Sequence, residues 1–158
     1  MKHFLIKFNH GVEIGAYMAY RGHYRRTKDN KVNMISHDEL EHRATLKLIL
    51  DFYKTKPNKI INSFFWIVGS LIYIACLVSP RFMLDYIAQV MEMFAIFNYG
   101  KLARMYPENE VMFNKMAKTE TDHKEYFQLG PDKYNHLQSL RASLAGGMFG
   151  KVVPDVRS

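Results

Sequence analysis

The residues able to do chemistry in this chain are glutamates and histidines at helical spacing. Glu39 and His42 stand three apart inside the stretch from Ser36 to Leu48, and Glu120 and His123 repeat the device. Three residues make about one helical turn, so each pair presents a carboxylate and an imidazole on one face. Glu13 precedes Glu39 by 26 residues and Glu92 precedes Glu120 by 28, so the chain reads as two halves, each Glu…Glu-x-x-His. One Glu-x-x-His pair is common on solvated helices. Two of them, each behind a glutamate at nearly equal spacing, point to a built site.

Two Glu-x-x-His helices, each beside a helix that supplies one more Glu, form the ligand set of a ferritin-like dimetal bundle. Four carboxylates and two imidazoles are an oxygen-rich set with one nitrogen per metal. That set suits iron, with manganese as a substitute, better than zinc. Four carboxylates neutralise two divalent cations; without metal their convergence in an apolar core would be costly. Asp38, Tyr99 and His10 are candidates for the layer behind the ligands. A metal-bound imidazole usually donates its other N–H to a carboxylate or carbonyl, and the proposed partner of His123 is Asp38 on the opposite helix.

The elements that position these residues must be helices. The 158 residues are 48% hydrophobic and 23% charged, carry little glycine within the amphipathic stretches and show no strand-like alternation. The expectation is one all-α domain over residues 1–158: a ferritin-like four-helix bundle with one or two added helices and an irregular tail from about 146. Helices are expected over 10–27, 34–53 (capped by Asn33 or Ser36), 60–79, 82–105, about 110–129 and 132–145. His10, Glu13, Tyr17, Tyr20 and Tyr24 make one stripe of the first, while Glu41 and Arg43 fall on solvated faces of the second. Residues 60–79 carry no formal charge and are long enough to cross a bilayer. A crossing there would part the two halves of the site. The segment is therefore read as a bundle helix with its outer face in a membrane interface, beside Lys54, Lys56, Lys59 and Arg81. A helix wholly buried in protein is the alternative.

Twenty-two Lys and Arg against 15 Asp and Glu leave a formal charge of +7, compatible with an anionic membrane or with nucleic acid. The single Cys76 excludes a disulfide framework and fits a reducing compartment. Met1–Phe8 lacks a hydrophobic run of secretory length. Glycine-rich phosphate loops, Cys-x-x-Cys pairs, nucleophile motifs and a nicotinamide-binding fingerprint are missing from the sequence.

The chain resembles the demethoxyubiquinone hydroxylases of ubiquinone biosynthesis. The resemblance rests on Asn9-His10-Gly11-Val12-Glu13-Ile14-Gly15-Ala16, then Tyr20-Arg21-Gly22, the six ligands in order and the apolar segment before Pro80, across most of residues 9–127. Where that family has His-Tyr, this chain has Asn98-Tyr99. The resemblance implies a di-iron monooxygenase that uses O2 to hydroxylate a polyprenyl benzoquinone. It also implies a cytoplasmic protein held peripherally at the inner membrane, with electrons from an unidentified donor. A homodimer is compatible with this reading, and nucleic acid is not the expected partner. Alternatives keep the site but change the substrate to a fatty aldehyde, a small metabolite or a tRNA base, or make the protein a non-enzymatic iron-binding ferroxidase.

Overall fold

The structure is a computed structural model that describes residues 3–149. It is all helical: α1 (Phe4–Thr27), α2 (Asn30–Phe52), α3 (Lys59–Val78), α4 (Arg81–Met105), α5 (Glu110–Leu129) and α6 (Pro131–Phe149), with a 3-10 turn at Pro107–Asn109. No strand occurs among the described residues.

Three helix ends differ from the sequence expectation. α1 begins at Phe4, six residues early, because Ile6 is fully buried against Leu46, Ile49, Leu50 and Leu102 and so draws the first turn into the core. α2 begins at Asn30, capped by Asp29 rather than by Asn33 or Ser36, with Asp29 Oδ1 accepting from the Lys31 N–H at 3.0 Å. The same carboxylate, through Oδ2, accepts from Arg81 at 2.6 Å and from the Tyr126 hydroxyl, so the cap also ties α2 to α4 and α5. α6 continues to Phe149, past the expected irregular start at about 146.

Side-chain pairings fix the directions of the helices. Tyr20 meets Glu92 and Tyr99 meets Glu13, so α1 and α4 are antiparallel. Asp38 meets His123 and His42 meets Glu120, so α2 and α5 are antiparallel as well. α3 runs parallel to α1: Gly15 lies against Phe65 and Gly22 against Tyr73. The third helix therefore carries the chain back along the outside before α4 re-enters. Its approach to α1 is close enough to demand glycine. A Cβ on Gly69 would sit 2.8 Å from Gly15 Cα, and one on Gly22 would sit 2.8 Å from Tyr73 Cα.

Only Gly69 and Cys76 of α3 are buried. Phe64, Ile67, Leu71 and Ile74 are each more than half exposed, and α4 adds exposed Phe82, Tyr86, Met93 and Phe97 beside them. The wholly buried alternative for residues 60–79 is thus excluded. α3 is the one helix among the described residues long and apolar enough to cross a membrane, by length and composition alone.

The core comes in two clusters. One gathers Ile6, Leu46, Ile49, Tyr99, Leu102, Phe113 and Met116, and the other Ala16, Tyr20, Val32, Ile35, Ala88, Tyr126 and Phe127. On each of α1, α2, α4 and α5 the candidate ligands fall between residues of the two clusters.

Candidate metal centre

Each inner helix brings its ligand to the same level. α1 supplies Glu13, α4 supplies Glu92, α2 supplies Glu39 and His42, and α5 supplies Glu120 and His123. All six are buried, none more than 6% exposed. They form two groups: Glu13, Glu39, His42 and Glu120, and Glu39, Glu92, Glu120 and His123. Within each group the ligating atoms lie within 4.8 Å of one another. Glu39 and Glu120 belong to both groups. The other four divide evenly, one Glu and one His to each.

The electrostatics are those of a site short of positive charge. Burial pushes the Glu13, Glu39 and Glu92 carboxyls well above the usual carboxylate range, and neighbouring carboxylates push further. Burial would raise Glu120 too, but the hydrogen bond from His123 and the His42 imidazole beside it hold it well below that range. The two imidazoles are raised in turn: burial opposes their charge, but Asp38 and Glu120 at His123, and Glu120 at His42, outweigh it. His42 Nδ1 is 2.9 Å from Glu120 Oε1, yet the angle is wrong for a hydrogen bond, so both atoms stay buried without one, as does Glu39 Oε1. Two carboxylate oxygens and an imidazole nitrogen buried without a hydrogen-bond partner are a donor set that fits divalent cations. The buried Glu and His groups can hold metal, and which metal is not marked by the geometry.

Behind the ligands, Asp38 Oδ2 lies 3.0 Å from His123 Nε2, while His123 Nδ1 faces Glu120 Oε2 at 3.1 Å and Glu39 and Glu92 at 3.7 Å. The imidazole thus turns one nitrogen to the cluster and the other to Asp38. Tyr99 donates its hydroxyl to Glu13. Tyr20 does the same for Glu92. The sequence reading placed Tyr20 only on a core stripe and missed this role. A signal for it existed, since Tyr20 follows Glu13 by seven residues, as Tyr99 follows Glu92. Each tyrosine reaches across to the other helix's glutamate. His10 faces α3, with Nδ1 3.1 Å from Asn62 Oδ1, and does not stand behind a ligand. Tyr17 and Tyr24 of the expected stripe are only half-buried.

Two cavities approach the centre from the α1–α4 side. A small one of about 60 Å³ touches Glu13, Glu39 and Glu92. An apolar one of about 280 Å³ lies between α1, α3 and α4, lined by Ala19, Ile72, Cys76, Leu84 and Ile87. Tyr20 and Met91 stand in the walls of both. On the opposite side a polar groove of about 240 Å³ between α2 and α5 reaches Asp38 and His42. Comparison with family models, with curated proteins and with solved structures finds no match to this chain.

Proposed function

We propose that the protein is a ferritin-like di-iron monooxygenase of the demethoxyubiquinone hydroxylase kind, acting on a polyprenyl benzoquinone. The observation that carries this reading is the pair of buried ligand groups sharing Glu39 and Glu120. Glu39 and Glu120, common to both groups, would help hold two iron ions, with Glu13 and His42 completing one group and Glu92 and His123 the other. Bound iron would supply the redox chemistry that activates O2 to hydroxylate a carbon. The chain's own residues exclude water through the two apolar clusters, orient His123 through Asp38, and hold Glu13 and Glu92 through the hydroxyls of Tyr99 and Tyr20. Reducing equivalents come from a separate donor.

An apolar substrate is favoured over iron storage by the cavity beside Tyr20 and by the exposed apolar faces of α3 and α4. A membrane quinone would enter between those helices, with α3 lying in the interface rather than crossing it. Its parallel packing along α1 supports that placement, because a crossing would take the whole bundle into the bilayer. The site would then face the inner membrane from the cytoplasm. The test is product analysis after incubating iron-loaded protein with O2, a reductant and candidate quinones, alongside iron content. Two irons per chain and a hydroxylated quinone are expected. Iron oxidation with no hydroxylated product from any quinone would favour the ferroxidase reading.

A further inference from the structure

Where α1, α2 and α3 meet, two grooves of about 470 and 320 Å³ share Arg43 and Asn62 in their walls. The sequence placed Arg43 on a solvated face, but it is half-buried, and its Nε is enclosed without a hydrogen-bond partner. Among the described residues no carboxylate pairs with its guanidinium. Lys47, the other cation in these walls, is already paired with Asp51 at 2.7 Å. Neither groove has an acidic residue in its wall.

The remaining polar side chains named there, His10, Asn62 and Ser63, are uncharged or weakly basic and each can donate a hydrogen bond. Asn62 Oδ1 can only accept, so His10 donates to it through Nδ1 at 3.1 Å, and the Asn62 amide keeps both N–H groups for other partners. Burial lowers the His10 pKa, the Asn62 bond opposes this, and Arg43 and Lys47 add to the lowering. Ser63 contributes a hydroxyl from α3. Trp66 and Ile67, each more than half exposed, continue the larger groove onto the apolar face of α3.

A half-buried guanidinium without a counter-charge, among neutral donors from a second helix, is complementary to a compact oxyanion. Donors converging from α2 and α3 suit a tetrahedral group better than a planar carboxylate. We propose that the Arg43–Asn62 groove binds a phosphate group. The site is separate from the candidate metal centre and does not depend on it.

Trp66 is the only tryptophan in the chain, so its emission reports on this groove. The full-length protein is titrated with dodecyl phosphate, with glycerol 3-phosphate and with a neutral dodecyl glycoside, following Trp66. Saturable binding of a phosphate compound is expected, and Arg43→Gln should weaken it roughly ten- to a hundredfold. Ser63 is exposed, so Ser63→Asp leaves the fold intact while placing a carboxylate beside Arg43, and it should weaken binding as strongly. Binding that needs the dodecyl chain assigns the phosphate to a lipid headgroup, and equal binding of glycerol 3-phosphate assigns it to a soluble phosphate. The proposal is overturned if the neutral glycoside binds as tightly as dodecyl phosphate, or if both substitutions leave the phosphate affinity unchanged.

Discussion

Stripped of metal, the protein should lose stability as pH rises from 5 to 7, the reverse of the usual behaviour of buried, paired carboxylates. Glu13, Glu39 and Glu92 have folded-state pKa values raised above the unfolded value, mainly by burial. Between those limits the native state binds more protons than the unfolded state, so stability is present in full below the unfolded pKa and is lost as pH climbs towards the folded one. Each such carboxyl contributes a slope of about 1.4 kcal/mol per pH unit, so three set a ceiling near ~4 kcal/mol per unit. Glu120 has the opposite shift, and its effect is confined to pH below the ordinary carboxylate range. The raised values of His42 and His123 add to the loss above their unfolded pKa. For a chain of this size ~1 kcal/mol moves Tm by roughly 2–4 °C, so the metal-free Tm should drop by several degrees per pH unit, up to about 10 °C or somewhat more. The assay is thermal unfolding followed by circular dichroism across pH 5–7, on protein stripped with chelator and then freed of it, with and without added divalent iron under anaerobic conditions. Metal should raise Tm and flatten the profile, because it replaces the protons. Glu39→Gln cannot ionise, so it should remove about a third of the slope and raise the metal-free Tm at pH 7, while abolishing the gain from metal. A metal-free Tm that stays level or rises from pH 5 to 7 would refute the reasoning.

Asp38→Ala should weaken metal binding by about ten- to a hundredfold, read by competition with a chromophoric chelator, because it frees the imidazole of His123 to rotate. Gly69→Ala should lower stability by about 1–3 kcal/mol in chemical denaturation, since the added methyl meets backbone of Gly15 rather than a side chain that could move. Charge reversal at Lys54, Lys56 and Lys59 should weaken binding to anionic vesicles, at about 1 kcal/mol for each lysine near the surface, and slow turnover of long-chain quinones more than of short, soluble ones. Equal loss on both substrates would mean that these lysines do not serve access.

Much of this protein was legible along the chain because an α-helix turns sequence spacing into geometry. Glu39 with His42, and Glu120 with His123, must share a face once their segments are helical, and the missing strand signals left only an all-α fold. Helix ends were less legible: Ile6 acts through partners on other helices, and Asp29, a common cap type that bonds the Lys31 N–H locally, stood in competition with Asn33 and Ser36 until its ties to Arg81 and Tyr126 were seen. The tyrosine pairs show the same limit. The seven-residue spacing from Glu13 to Tyr20 and from Glu92 to Tyr99 is visible in sequence, but that each hydroxyl crosses to the other helix's glutamate follows from α1 and α4 running antiparallel at one register. Arg43 and His10 were misplaced for a related reason, since both turn to α3. The outer position of α3 depends on the backbone contact that Gly15, Gly22 and Gly69 permit, and hydropathy alone cannot tell a helix covered by protein from one that is bare. Periodicity along a helix is set by covalent geometry and can be read from one chain. Which faces meet, and which stay uncovered, is set by packing between segments far apart in sequence, and that was decided only in three dimensions.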